Sequence, residues 1–259
     1  MKLWEIIETG WRSRQQEALL ADNQQRLDFA IRVAGVELDE WQRDVIRSKS
    51  KRVLLNCARQ LGKSTVAAIV AAHTAVYSPG SLSLVTSPTL RQSGEFYAKV
   101  RAILAAARVS LAEDNKTSCT TETGSRVVSL PGTQATIRGV SAPTLVIIDE
   151  AAFTEDSLYD AILPMLNVSA GALWLLSTPY GKRGVFHREW TTGKGWFSRK
   201  ATVYDCARIS AETVEKARAS MPAGKFRQEF ECEFVETSDQ VFSEETIAKS
   251  FGDVVELAL

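Results

Sequence analysis

The eight residues Cys57-Ala58-Arg59-Gln60-Leu61-Gly62-Lys63-Ser64 lie between a short β-prone run, Arg52 to Asn56, and a stretch from Thr65 to Val76 that is apolar around nearly its whole circumference. This constrains the fold more than any other feature of the chain. A strand entering a tight loop and leaving as a helix aims backbone N–H groups and the positive end of the helix dipole at one point, where an anionic phosphate can sit. The all-round apolar helix must be buried against a sheet, and it stops at Tyr77-Ser78-Pro79-Gly80. In this reading Lys63 carries a point charge to the β- and γ-phosphates of a nucleoside triphosphate, and the Ser64 hydroxyl is a ligand of Mg²⁺. The Gly-Lys-Ser tripeptide alone is common, and the plain alternative is an ordinary strand–turn–helix. The usual pattern also has a glycine where this chain has Cys57.

Strands and helices alternate along the rest of the chain. Ser83 to Thr86 reads as a strand and Leu90 to Ala107 as an amphipathic helix, with Ser87-Pro88-Thr89 as the break between them. Arg126 to Leu130, flanked by polar and glycine-containing residues, reads as part of a hairpin. Leu145 to Ile148, Glu155 to Leu166, Ala172 to Leu176 and Val185 to Trp190 continue the alternation. The expected class is α/β with a mainly parallel central sheet flanked by helices. Residues 1–36, with Trp4, Ile7, Trp11, Leu27 and Ile31 at helical spacing, read as a helical appendage on the surface.

Leu145-Val146-Ile147-Ile148 is apolar without interruption, as a strand buried on both faces should be, and ends in Asp149-Glu150. Ligands of parallel sheets bind at the carboxyl ends of the strands, so two acids there join the same site. Asp149 is the candidate for holding Mg²⁺, and Glu150 for orienting and deprotonating an attacking water. A second apolar strand ends in Ser177-Thr178-Pro179, whose hydroxyls would lie on the same edge and sense a γ-phosphate; a plain strand-ending turn is the alternative.

The chain has 259 residues, 45% apolar and 24% charged, with zero formal net charge. It holds no run of about 18 apolar residues, and Glu5 comes too early for a signal peptide, so the expected location is a cytoplasm. Cys57, Cys119, Cys206 and Cys232 have no metal-ligand spacing and read as reduced thiols. Lys182 to Phe230 carries eleven lysines and arginines against five acids, and Glu231 to Leu259 one against eight. That asymmetry reads either as a DNA or partner surface beside a linker or as plain solvated faces.

Together the motifs resemble the ATPase domain of the large terminase subunit, the motor that packages DNA into tailed bacteriophage heads. The resemblance rests on Trp41-Gln42, Arg59 to Ser64, Ile137-Arg138-Gly139, Ile148 to Phe153, Leu176 to Gly181 and Phe226 to Phe230, and spans residues 36 to 235. That family often lacks the first loop glycine and carries an arginine where this chain has Arg59. The resemblance implies a fold with a phosphate-loop ATPase core over 37–200, a small lid over 201–235 and a linker over 236–259. It implies ATP and Mg²⁺ as ligands, with residues Cys57 to Ser64 at the nucleotide and Gln42 at the adenine. Arg138 resembles an arginine that reaches a neighbouring subunit's nucleotide, a contribution of about 10³–10⁵ in rate or roughly 4–7 kcal/mol. Arg59 is its rival from within the same subunit. The implied partners are double-stranded DNA, a portal protein, a small terminase subunit and further copies of the chain, five to a ring in the working motor, in the cytoplasm of a bacterial host. Complete large terminases continue into a nuclease domain of the ribonuclease H type, so a chain ending at Leu259 is expected to be truncated and to lack DNA cleavage. Two readings compete with the packaging motor: a superfamily-two helicase, which needs a second motor domain, and a non-catalytic remnant that binds nucleotide without turnover.

Overall fold

The computed structural model describes residues 25–33, 35 and 37–236. Most of the expected appendage, including Trp4, Ile7 and Trp11, and nearly all of the expected linker lie outside the described residues. The described chain opens with a helical stretch α1 (residues 25–28) that runs into a π-helical turn, Phe29–Val33, and then α2 (Glu40–Arg47). The β1 strand (Arg52–Cys57) feeds the loop and α3 (Lys63–Tyr77). After β2 (Leu82–Ser87) and α4 (Leu90–Ala106) come β3 (Leu111–Asp114), β4 (Ser118–Thr121), β5 (Arg126–Pro131) and a one-turn helix α5 (Gln134–Ile137). The chain continues with β6 (Leu145–Asp149), α6 (Asp156–Ser169), β7 (Ala172–Ser177), α7 (Gly184–Thr192) and β8 (Phe197–Ala201). Two helices, α8 (Ala211–Ser220) and α9 (Ala223–Glu231), close it.

The eight strands form one sheet in the order β3-β4-β5-β2-β6-β7-β1-β8. From β5 to β8 every pairing is parallel; β4 is antiparallel to both of its neighbours, β3 and β5. The expected hairpin is therefore present as β4–β5, and β5 goes on to pair in parallel with β2. Alternation along the central strands sorts the core into two layers. Val53, Leu55, Ile147, Trp174 and Leu176 face α2, α3 and α4, whereas Leu54, Val146, Ile148, Leu173 and Leu175 face α6 and α7. Helix α3 is buried from Val66 through Ala72, which explains its all-round apolar sequence.

Helices α8 and α9 gather around a small separate cluster of Val203, Val214 and Phe226. They are fastened to the sheet by the Asn56 side-chain amide, which donates to the Cys232 carbonyl (3.0 Å), and by the Cys232 thiol, which donates to the Ala201 carbonyl (3.1 Å). All four cysteines are free and buried.

Much of the basic segment is engaged in ion pairs, several of them with residues distant in sequence. Arg188 pairs with Asp156, Arg199 with Asp44, Arg208 with Asp39, Lys216 with Glu212, Arg218 with Glu231 and Arg227 with Glu233. Among the described residues no helix is long and apolar enough to cross a membrane.

The turn between α6 and β7 leaves no room for a side chain at Gly171. A Cβ there would lie 2.3 Å from the Pro143 carbonyl oxygen and 2.9 Å from Leu166. Gly171→Ala is expected to cost about 1–3 kcal/mol. Denaturant unfolding checks this, and an unchanged midpoint would contradict the packing described.

Candidate active site

The loop turns through two left-handed residues, Gln60 (φ 61°) and Gly62 (φ 90°). A glycine is required at the second, because a Cβ on Gly62 would also stand 2.8 Å from Nε2 of Gln42. Gln42 itself is buried at 2% exposure. Its amide donates to the Leu61 carbonyl (3.1 Å) and its oxygen accepts from the Asp39 N–H (2.9 Å). The observed contacts of Gln42 thus hold the loop from below. Cys57, Ala58 and Leu61 point into the core, so they face the loop's interior through backbone atoms alone. Burial pushes the Cys57 thiol well above its ordinary range.

Lys63 begins α3 and is itself buried. Its Nζ lies 2.8 Å from Oε1 of Glu150, and the Ser64 hydroxyl donates to Oδ2 of Asp149 (2.9 Å). The end of β1 and the end of β6 are separated by β7, yet all four side chains predicted from sequence converge. Burial opposes the charge on Lys63, but Glu150 and Asp149 act together against it, and the ammonium is held above its ordinary range. For Asp149 burial prevails over the attraction of Lys63, and its carboxyl is raised. Glu150 sits in left-handed backbone (φ 58°, ψ 46°) at the start of a 3-10 turn, Ala151–Phe153. A non-glycine residue held there costs of order 1–3 kcal/mol, and such strain is characteristic of working sites.

The end of β7 fills the gap between the two halves. Ser177 Oγ accepts from the Ala152 N–H (3.2 Å) and lies within reach of Glu150 Oε2 (3.4 Å). The Thr178 hydroxyl donates to the Cys57 carbonyl (2.9 Å). Arg59 is mostly exposed but tied to α9: its Nε is 2.8 Å from Oε2 of Glu229, and its backbone N–H donates to the Glu229 carbonyl (3.1 Å). Arg138 follows α5 on the surface, and among the described residues no carboxylate is within ion-pair distance of it. Glu229 gained no role from sequence, although Phe226 to Phe230 stood out as a motif; a lone acid on a polar helix gives no sign of the arginine it meets.

Two outcomes follow. Because the folded state favours the protonated Asp149 carboxyl, the stability it contributes is present below its unfolded pKa and is lost as pH rises through its folded one. Near neutral pH, Asp149→Asn should therefore melt higher than the parent without ligand; a lower melting temperature would contradict the burial argument. Gln42→Ala should weaken binding of a fluorescent nucleotide analogue by about tenfold through a loosened loop, as expected for a lost buried hydrogen bond of ~1–2 kcal/mol.

Residues 54–249 match the family described as terminase large subunit, T4likevirus-type, N-terminal. The terminase large subunit of Thermus virus P23-45 is 27% identical over 255 residues, a match covering 83% of this chain and 52% of that protein. The large subunit of Thermus phage G20c matches at the same identity and coverage, so the chain spans about half the length of the curated relatives it matches. Among solved structures, the ATPase domain of the Thermus phage P74-26 large terminase is similar in fold, with a TM-score of 0.70 at 22% identity, covering 79% of this chain and 97% of that one. The large terminase of another thermophilic bacteriophage, in complex with ATP-gamma-S, has a TM-score of 0.64 at 14% identity, covering 77% of this chain and 53% of that one. With a family match that takes in most of the sheet and both halves of the site, the chain belongs to the terminase large subunit family, in its N-terminal region.

Proposed function

We propose that the chain is a Mg²⁺-dependent ATPase whose hydrolysis of ATP drives double-stranded DNA into a viral procapsid. The observation that carries this reading is the buried pairing of Lys63 with Glu150 and of Ser64 with Asp149 at the carboxyl edge of a parallel sheet. Family membership supports it, as does the ATP-gamma-S bound by the related terminase of a thermophilic bacteriophage.

The donor set suits magnesium, a small hard cation held by one or two protein oxygens while phosphate and water supply the rest. Ser64 Oγ and the Asp149 carboxylate are two such oxygens in mutual contact, and the raised proton affinity of Asp149 is what a neighbouring cation would cancel. When bound, the ion neutralises charge on the β- and γ-phosphates. The loop N–H groups and the start of α3 receive the phosphates. Lys63 exchanges Glu150 for the more highly charged γ-phosphate, which frees the Glu150 carboxylate to orient the attacking water and accept its proton. Ser177 beside Glu150, and Thr178 on the Cys57 carbonyl, are positioned to sense loss of the γ-phosphate.

Arg138, exposed and without an acidic partner among the described residues, is the candidate finger for the nucleotide of an adjacent copy; Arg59, engaged by Glu229, is the rival in cis. The working form is then a ring, five-fold by family resemblance, in the cytoplasm of a bacterial host, with the portal protein and small subunit as partners. Residues 37–200 serve as the ATPase core and 201–235 as a lid, a division supported by the separate cluster of Val203, Val214 and Phe226.

Glu150→Gln should keep nucleotide affinity and lose about 10²–10⁴ in phosphate release; undiminished turnover would remove Glu150 from the mechanism. For the arginines, the rate per chain should climb with protein concentration and fall by about 10³ or more in Arg138→Ala. A flat concentration profile would assign the role to Arg59.

A further inference from the structure

A groove of about 880 Å³ lies between α9 and the loop that leaves β7. Pro222, Gly224 and Lys225 at the start of the helix line one part of it, and Tyr180 and Lys182 in the loop line another. It is tied to the nucleotide site, because Glu229 further along α9 holds Arg59 of the phosphate loop and Tyr180 follows Ser177 and Thr178. Apart from Glu229, no residue lining the groove takes part in the nucleotide machinery described above.

Three observations give the groove a chemistry. Gln228 lines it at 9% exposure, and its side-chain amide makes no hydrogen bond among the described residues. A buried amide without a partner is costly, so it points to a ligand that brings hydrogen-bonding atoms. The second observation is the helix start itself. α9 runs for nine residues, with no acid in its first turn and no side chain capping it. The space over Gly224 is open, since a Cβ there would meet nothing within 4 Å. Such a terminus favours an anion. The third is the balance of charge. Each carboxylate that lines the groove already has a cation: Glu229 has Arg59 (2.8 Å), Glu233 has Arg227 (3.7 Å) and Glu236 has Lys182 (3.9 Å). Lys225, in the first turn of α9, and Arg183, 5.6 Å from the ring centroid of Tyr180, pair with no carboxylate among the described residues. The surplus charge around the groove is therefore positive.

We propose that this groove receives the backbone of double-stranded DNA, with a phosphodiester held by the N–H groups at the start of α9, by Lys225 and by the Gln228 amide, and with Arg183 as a further cation beside it. Cations spread over two elements of an open groove suit an extended polyanion, and a free triphosphate has its own seat on the loop before α3. The assignment rests on the packaging-motor reading and adds to it a DNA-contact site. Phosphate contacts of this kind position a protein on DNA without reading its sequence. Because α9 also carries Glu229, a shift of the helix on DNA reaches Arg59 and the phosphate loop.

The test is fluorescence anisotropy of a short labelled duplex with the chain at low salt, run beside binding of a fluorescent ATP analogue. Gly224→Glu should weaken duplex binding by about tenfold and Lys225→Ala by about threefold, with the nucleotide analogue bound as by the parent. Duplex binding by Lys225→Ala should also fall less steeply with salt, as one phosphate contact fewer requires. Gly224→Glu enters open space and puts a better helix former, with the favoured sign of charge, in the first turn of α9, so it should melt no lower than the parent. Lys225 is exposed, and its alanine variant keeps the test valid if the glutamate variant fails to fold. Parental duplex affinity in both variants overturns the groove assignment and leaves the ATPase reading standing. A parent chain that binds the analogue but no duplex overturns it as well; one that binds neither removes the motor reading too. Inorganic phosphate at constant ionic strength should leave the duplex bound, and displacement by it would overturn the phosphodiester in favour of free phosphate.

Discussion

The contacts of Lys63 with Glu150 and of Ser64 with Asp149 join two strand ends that are not neighbours in the sheet. β7 lies between them, and its last residues carry the hydroxyls that bridge the gap. The site therefore exists only when three strands are in register, which makes the parallel order around β6, β7 and β1 the condition for everything else. Its charges are largely out of water. Removing one partner from such a pair leaves an uncompensated buried charge, a larger penalty than the pair's own net contribution. The Lys63–Glu150 pair is stable as a set and intolerant of losing a member, whereas Asp149, whose burial opposes its charge, is neutralised without that penalty.

Where the fold was readable from sequence, burial on two sides made it so. α3 is enclosed around nearly its whole girth and β6 on both faces, so their apolar runs could mean little else. The edge strands were hidden for the opposite reason. β3 reads Leu-Ala-Glu-Asp and β8 reads Phe-Ser-Arg-Lys-Ala, charged sequences that keep an edge from pairing with another chain and that resemble loops. α8 and α9 bury only a few side chains each, which left their region to family resemblance rather than to pattern.

The site divides in the same way. Lys63, Ser64, Asp149 and Glu150 declare themselves because charged and hydroxyl groups at the ends of apolar strands have no packing purpose. Gln42 and Glu229 are defined by what they meet across the fold. The Gln42 amide finds the Leu61 carbonyl 19 residues away, and nothing in the local sequence announces it. The basic stretch after Lys182 misleads for a related reason: several of its partners, Asp39, Asp44 and Asp156, precede it in the chain and are brought to it by folding.

The bonds from Asn56 to Cys232 and from Cys232 to Ala201 have a mechanical meaning. Asn56 is the penultimate residue of β1, and β1 runs straight into the phosphate loop. Tension applied to the polypeptide beyond Cys232 is thus delivered to the strand beneath the loop, with Arg59 and Glu229 as a second tie between α9 and the loop. A pull on the far portion of the chain and a displacement of the loop are two ends of one lever.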